Sequence, residues 1–224
     1  MLVLKRQPLK DNLILAKFKK RLFNKQSLFL SLINAAMSNI PPYLFTSARL
    51  GFRRWQPADL QPMAALNTDP EVMRYFPALQ SEAETAAFIS RMDSLMDEKG
   101  YCYYAVDNLD NGAFIGFTGF ATKSFPANFT PCIDIGWRLA RAAWGRGFAT
   151  EAAKACLHYG WDVLGLTTIY AIAPEVNTPS IRIMEKIGMQ HTVRFLHPQL
   201  AGNDYLQPCV AYLAHNPLFD NTGA

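Results

Sequence analysis

Within seven residues the chain places Arg141, Gly145, Arg146 and Gly147, directly ahead of an alanine-rich stretch of helical character that opens at Phe148. Such a turn can hold an anion. The first backbone N–H groups of a helix lack intrahelical partners and carry the positive end of its dipole, and glycines remove the Cβ atoms that would keep a phosphate away. A diphosphate can sit at this helix start because Gly145 and Gly147 clear the approach, with Arg141 and Arg146 adding charge. The turn lacks the Gly-Lys-Ser/Thr of a P-loop and the G-x-G-x-x-G spacing of a dinucleotide site. Cys102, Cys132, Cys156 and Cys209 are too far apart for C-x-x-C and sit in apolar or strand-like contexts. They are expected as buried free thiols in a reducing compartment, the cytoplasm. The four histidines show no ligand spacing, and no metal site is expected.

The elements that must position this turn follow from periodicity. Leu50 to Trp55 reads as a first strand and Pro57 to Thr68 as a helix with Leu60, Met63, Ala64 and Asn67 along one side. Ser81 and Glu84 form a capping box for a second helix, Glu82 to Lys99, which stops at Gly100. Tyr101 to Asp107 and Ala113 to Ala121 are expected as a hairpin turned at Asn111-Gly112, and a turn at Asn128 to Pro131 leads to a third antiparallel strand, Cys132 to Leu139. The helix after the glycine turn would bury Phe148, Ala152, Ala155, Cys156, Tyr159 and Val163 and end at Gly165. Thr167 to Ala173 is a β-branched, apolar strand, Thr178 and Pro179 suit the start of a helix over Ser180 to Ile187, and Met189 to Phe195 and Pro208 to Ala214 close the chain as strands. The expected architecture is a mixed, mostly antiparallel α/β sheet with helices on both faces.

At 224 residues, half of them hydrophobic, the chain can bury one substantial core and carry an appendage. The appendage is 1–45, a basic N-terminal extension: residues 1–36 hold eight lysines and arginines against Asp11 alone. Its apolar runs are too short to span a bilayer, so no transmembrane segment is expected. Met37 reads like the natural opening of a domain, which makes residues 1–36 a loose extension or a start-site artefact. The remainder carries 14 basic and 17 acidic residues. That mildly acidic balance argues against nucleic acid as a partner and fits cationic or small ones. The main domain is set at 46–216, with a tail at 217–224.

Two separated runs agree on a family. Trp144 to Ala152 (WGRGFATEA) resembles the acyl-CoA pyrophosphate motif of the GNAT superfamily of N-acetyltransferases, and Asn177, Ser180, Glu185, Lys186, Gly188 and Met189 resemble its second motif as the RimJ/RimL-type branch writes it. That branch includes ribosomal-protein-alanine acetyltransferases. Arg49 to Trp55, Asp69 to Phe76, Phe114 to Gly116, Ile135 to Trp137 and Phe195 to Pro198 extend the likeness over roughly residues 46–214. The resemblance implies a six- to seven-stranded GNAT-type sheet in which a parallel pair, Cys132 to Leu139 and Thr167 to Ala173, splays to admit acetyl-CoA as co-substrate.

In that frame Trp137, Arg138 and Leu139 line the pantetheine arm, Arg141 and Gly145, Arg146, Gly147, Phe148 and Ala149 hold the pyrophosphate, and Asn177 and Ser180 complete the cofactor side. Arg74, Tyr75 and Phe76 form the acceptor wall. The reaction implied is attack of a neutral primary amine on the thioester, without an enzyme nucleophile. Asp134 is the candidate base and Ser180 the candidate acid, because Met184 occupies the position where many GNAT enzymes place a tyrosine, and backbone N–H groups near Trp137 would polarise the thioester oxygen. Ala142 replaces the first polar residue of the usual phosphate motif. The acceptor would be a protein N-terminus or a small-molecule amine, and dimerisation is common in the family. The competing reading is a non-catalytic acyl-CoA-binding module.

Overall fold

The structure, a computed structural model, describes residues 43–218. The basic extension, apart from its last three residues, and the end of the 217–224 tail lie outside the described residues. Eight strands form one sheet: β1 (Phe45–Thr46), β2 (Leu50–Arg53), β3 (Tyr103–Asn108), β4 (Ala113–Lys123), β5 (Cys132–Leu139), β6 (Thr168–Pro174), β7 (Gln190–Leu196) and β8 (Pro208–His215), in the order β1-β2-β3-β4-β5-β6-β8-β7. This is one more strand than expected, because the two-residue β1 pairs antiparallel with β2 and is too short to leave a periodic signal. Among the described residues four α-helices interrupt the strands: α1 (Leu60–Asn67), α2 (Glu82–Lys99), α3 (Phe148–Asp162) and α4 (Thr178–Lys186).

Every strand pair is antiparallel except β5 with β6, which meet at the single register pair Asp134↔Tyr170. On its other side β5 is matched residue for residue by β4, from Cys132 opposite Lys123 to Leu139 opposite Gly116. The two parallel strands thus part beyond Asp134. The backbone of β5 toward its C-terminal end keeps one edge without a strand partner.

The sheet is covered on both faces. Phe117 on β4 packs with Phe88 of α2 and with Tyr103. Three residues on, and on the opposite face, Phe120 points at α3, where an added Cβ at Gly160 would come within 2.9 Å of its ring. Ala152, Ala153 and Cys156 on α3 are fully buried, so small side chains let the helix lie close on the sheet. Val163, expected on that buried face, is 64% exposed because α3 ends one residue earlier, at Asp162.

Other local signals are realised with small shifts. Ser81 Oγ accepts from the Glu84 N–H at 3.2 Å while Glu84 Oε2 accepts from the Ser81 N–H at 2.7 Å, and α2 ends at Gly100 with φ of 74°. The β3–β4 reversal falls within the expected connection, with Asn108 paired to Ala113, but only Gly112 and not Asn111 takes a positive φ. Asn177, rather than Thr178, caps α4: its Oδ1 accepts from the Ser180 N–H at 3.2 Å.

A buried ion group ties β2 to its neighbours. Arg53, 7% exposed, donates Nη1 and Nη2 to the two Asp59 oxygens at 2.7 and 2.8 Å, and Nε and Nη2 to the two Asp107 oxygens at 2.6 and 2.8 Å. Burial pulls this guanidinium toward deprotonation, but hydrogen bonds and charge from the two carboxylates outweigh it and raise its pKa. The triad pins the start of α1 to β2 and β3.

Candidate active site

A cavity of about 430 Å³ opens between the C-terminal half of β5, the turn into α3, the first turns of α4 and the segment joining α1 to α2. Trp137, Arg138, Leu139, Gly145, Gly147, Phe148, Ala149, Asn177, Ser180, Arg74, Tyr75 and Phe76 all line it. Residues expected to hold a cofactor and residues expected to form an acceptor wall therefore share one space. A shallower groove of about 790 Å³ runs along α3 and meets the cavity at Gly147, Thr150 and Lys186.

Backbone conformation fixes the glycine turn. Gly145 and Gly147 have φ of 71° and 77°, a region that other residues enter at a cost of roughly 1–2 kcal/mol. Gly147 is the last residue before α3, and no side chain caps that helix. Its first residues, Phe148, Ala149 and Thr150, line the cavity and their N–H groups have no backbone acceptor, the first such bond being Glu151 N–H to Gly147 O at 3.0 Å.

Two expected contributors stand off the cavity wall. Arg141 reaches Asp69 at 3.7 Å, and the Arg146 guanidinium lies 4.7 Å above the Phe148 ring. Glu151, within the first motif, fastens β1 and β2 to α3 by accepting from Ser47 Oγ at 2.7 Å, the Arg49 N–H at 2.8 Å and Arg49 Nε at 2.7 Å. Met184, at the position of the usual tyrosine, is 2% exposed in the core.

Asp134 does not line the cavity. Its carboxyl is buried where β5 and β6 part, with Oδ1 accepting from the Ile172 N–H at 3.1 Å and Oδ2 from the Tyr103 hydroxyl at 3.1 Å. Lys123 Nζ stands 3.6 Å from Oδ2 and donates to the Tyr103 oxygen at 3.2 Å. Burial pushes the Asp134 carboxyl up to about 6, against the opposing pull of the Lys123 charge and the bonds from Tyr103 and Ile172. Tyr103 and Lys123 were not expected from sequence. They face Asp134 only through the β3–β4–β5 registers, which no local pattern encodes.

At the other end of β5, the Arg138 guanidinium lies 3.9 Å over the Phe76 ring and 5.4 Å over that of Phe117. Its Nη1 donates to Asn67 Oδ1 at 2.5 Å, and its Nε is buried with no hydrogen-bond partner. Burial pulls its pKa down to about 10. The cavity is also lined by residues that were not expected at the site: Val72 and Ile183, together with Trp144 and Lys186, named only as motif residues, and Pro179, named only as a helix start. Trp144 Nε1 donates to Leu139 O at 2.8 Å, which fixes the turn against the end of β5.

The remaining candidates have structural occupations. All four cysteines are free and buried; burial raises the thiol of Cys102 to about 12, Cys132 to about 11 and Cys209 to about 12, and that of Cys156 further still. His197 accepts from the Gln199 N–H at 3.3 Å and packs on Phe125, as a loop-stabilising ring would. Among the described residues no cluster of His, Cys, Asp or Glu could hold a metal ion, and no helix is long and apolar enough to cross a membrane.

Comparison with known proteins agrees with this geometry. The acetyltransferase (GNAT) domain family matches residues 49–190. A Bacillus subtilis (strain 168) protein named as an uncharacterized N-acetyltransferase, YnaD, is 31% identical over 161 residues, which cover 71% of this chain and 90% of that one. Among solved structures, a GNAT-family acetyltransferase from Bacillus anthracis superposes with a TM-score of 0.64 at 27% identity, over 76% of this chain and 97% of its own. The fold of spermidine N-acetyltransferase from Vibrio cholerae, solved in complex with CoA and spermine, matches with a TM-score of 0.59 at 16% identity, over 75% of this chain and 96% of that one. A mostly antiparallel sheet with one splayed parallel pair, a glycine turn feeding an uncapped helix and a family match across both together lead to one assignment: the chain belongs to the GNAT acetyltransferase family.

Proposed function

We propose that this protein transfers the acetyl group of acetyl-CoA to a primary amine, a small molecule or a protein N-terminus, by direct attack in a ternary complex. One observation carries the reading. The unpaired edge of β5 and the uncapped, glycine-led start of α3 open onto the same cavity as the wall of Arg74, Tyr75 and Phe76. The free edge along Trp137, Arg138 and Leu139 would pair with the amides of the pantetheine arm, and the N–H groups from Gly145 to Ala149 would hold the pyrophosphate. Arg141 and Arg146 would act as longer-range charge, and Lys186, on the cavity wall, adds a third cation. The Asn177 to Met189 run and the Phe195 to Pro198 element support membership of the RimJ/RimL-type branch, and the four unpaired thiols support a cytoplasmic setting.

In the reaction the amine nitrogen bonds to the thioester carbon, the C–S bond breaks, and the amine loses a proton. Backbone N–H near Trp137 would stabilise the oxygen as it gains charge. Ser180, at the cavity wall in the first turn of α4, would supply a proton to the departing thiolate. Asp134 would take the amine proton. Neither its carboxyl nor the Tyr103 hydroxyl that donates to it lines the cavity, so the proton would reach Asp134 by relay, with Tyr103 as its last member.

The test is acceptor-dependent CoA release from acetyl-CoA, run across pH on the wild type and on Asp134→Asn. A carboxylate that titrates near 6 is a base above that pH and not below it, so the wild-type rate should fall as pH drops through about 6. Asp134→Asn should lose this limb and roughly 10²-fold or more of the rate, the usual scale of a positioned base. A full rate in Asp134→Asn would remove Asp134 from the mechanism. Binding of acetyl-CoA without release by any amine would favour the non-catalytic module.

A further inference from the structure

The cavity contains a cation that the protein leaves without a counter-ion. Arg138 points from β5 toward the α1–α2 side, where Phe76 and Phe117 stack on its guanidinium. Of its five N–H donors one meets Asn67 Oδ1, and the Nε donor is buried without a partner. Among the described residues no carboxylate lies within 4 Å of it; Glu71, the only acid on the cavity wall, has its nearest cation in Arg74 at 3.8 Å. Arg138 is half-buried with its Nε fully so; a charge withdrawn from water is normally paired, and Arg53 shows that this same fold can supply two carboxylates to an arginine when the role is structural.

Arg138 is also held in place. Asn67 is fully buried and donates Nδ2 to Thr85 Oγ1 at 2.9 Å, and Thr85 Oγ1 donates to Ser81 O at 2.9 Å. A chain of hydrogen bonds from the start of α2 through α1 thus orients the guanidinium over Phe76, on the acceptor wall. A planar fork fixed in this way suits a carboxylate, which accepts two parallel N–H bonds from it.

We infer that the acceptor is an amine carrying a carboxylate, a free α-amino acid with an apolar side chain, and that Arg138 binds that carboxylate while the amino group faces the thioester. Val72, Phe76 and Ile183 supply apolar surface for the side chain. The same cation works against a polyamine, whose additional positive charges would meet Arg138 in a cavity with a single acid. The mildly acidic balance of the domain therefore does not set the sign of its site. This inference rests on the acetyltransferase reading and narrows its acceptor.

The experiment pairs each of a panel of apolar amino acids, methionine among them, with its own carboxamide, and adds spermidine. CoA release is measured with the full chain as wild type, Arg138→Gln and Arg138→Lys. In parallel, calorimetry on the CoA-loaded protein compares N-acetylmethionine with N-acetylmethioninamide. The acid should exceed its amide by about 10- to 100-fold in kcat/KM, mostly through KM, as expected for a hydrogen bond to a charged group. Arg138→Gln should bring that ratio to within a few-fold, with Arg138→Lys between the two. Equal use of acid and amide, preference for spermidine, or a ratio unchanged in Arg138→Gln would overturn the inference. Failure of every amine to release CoA would count against acetyl transfer itself; calorimetry then still decides this point, since equal binding of the two products overturns it and tighter binding of the acid supports it.

Discussion

Arg53 and Arg138 both lie within this sheet, and the protein treats them in opposite ways. Arg53 is enclosed by Asp59 and Asp107 with four short hydrogen bonds. Arg138 has two aromatic faces, one amide oxygen and no carboxylate. The same contrast recurs at the two helix starts on the cavity. Asn177 caps α4 with its own side chain, whereas nothing caps α3 after Gly147. Of the two arginines, the one that ties the fold together has its carboxylates built in, and the one on the cavity wall has none; of the two helix starts, only that of α3 leaves its donors free. Folding energetics and function are thus divided by location.

The largest effect should come from the structural arginine. Arg53→Met leaves two buried carboxylates without a cation, which by comparison with other broken buried pairs costs about 3–5 kcal/mol. Thermal unfolding should fall by at least about 6 °C for a domain of this size. Gly147→Ala comes next and reads the other side of the division. An added Cβ there would find Arg49 Nη2 at an ordinary 3.6 Å, so the fold accepts it apart from the positive-φ cost. Acetyl-CoA affinity measured by calorimetry should nevertheless drop by roughly 10-fold or more, because the methyl group and the strained turn disturb the approach to the helix start. The smallest change is expected in the melting temperature of Arg138→Met, a loss of no more than about 4 °C, since relief of an unpaired charge offsets part of the lost stacking and of the Asn67 acceptor left unmet. A loss as large as that of Arg53→Met would make Arg138 a structural ion and abolish the contrast.

Much of this was legible without coordinates, and for identifiable reasons. Gly145, Gly147, the Ser81–Glu84 box and the β5 boundaries are local signals, carried by residues that interact with their own neighbours in sequence. Apart from one local choice between neighbours, what escaped was set elsewhere. Thr178 looked like the cap of α4, but Asn177 holds the better-placed carbonyl. Asp134 could be named as an acid on a strand, yet its burial, its distance from the cavity wall and its partners Tyr103 and Lys123 depend on how β3, β4 and β5 are aligned. The isolation of Arg138 is a statement about which carboxylates are not nearby, and no motif can write that.

The four buried thiols also settle how this protein behaves toward a thiol reagent. Cys102, Cys132, Cys156 and Cys209 are all screened from solvent and held in the unreactive protonated form. In the native state a disulfide dye should therefore colour only with the CoA that turnover liberates. On unfolding, four further equivalents per chain should appear at once, so one reagent would serve as both a clock for the chemistry and an alarm for the loss of the fold.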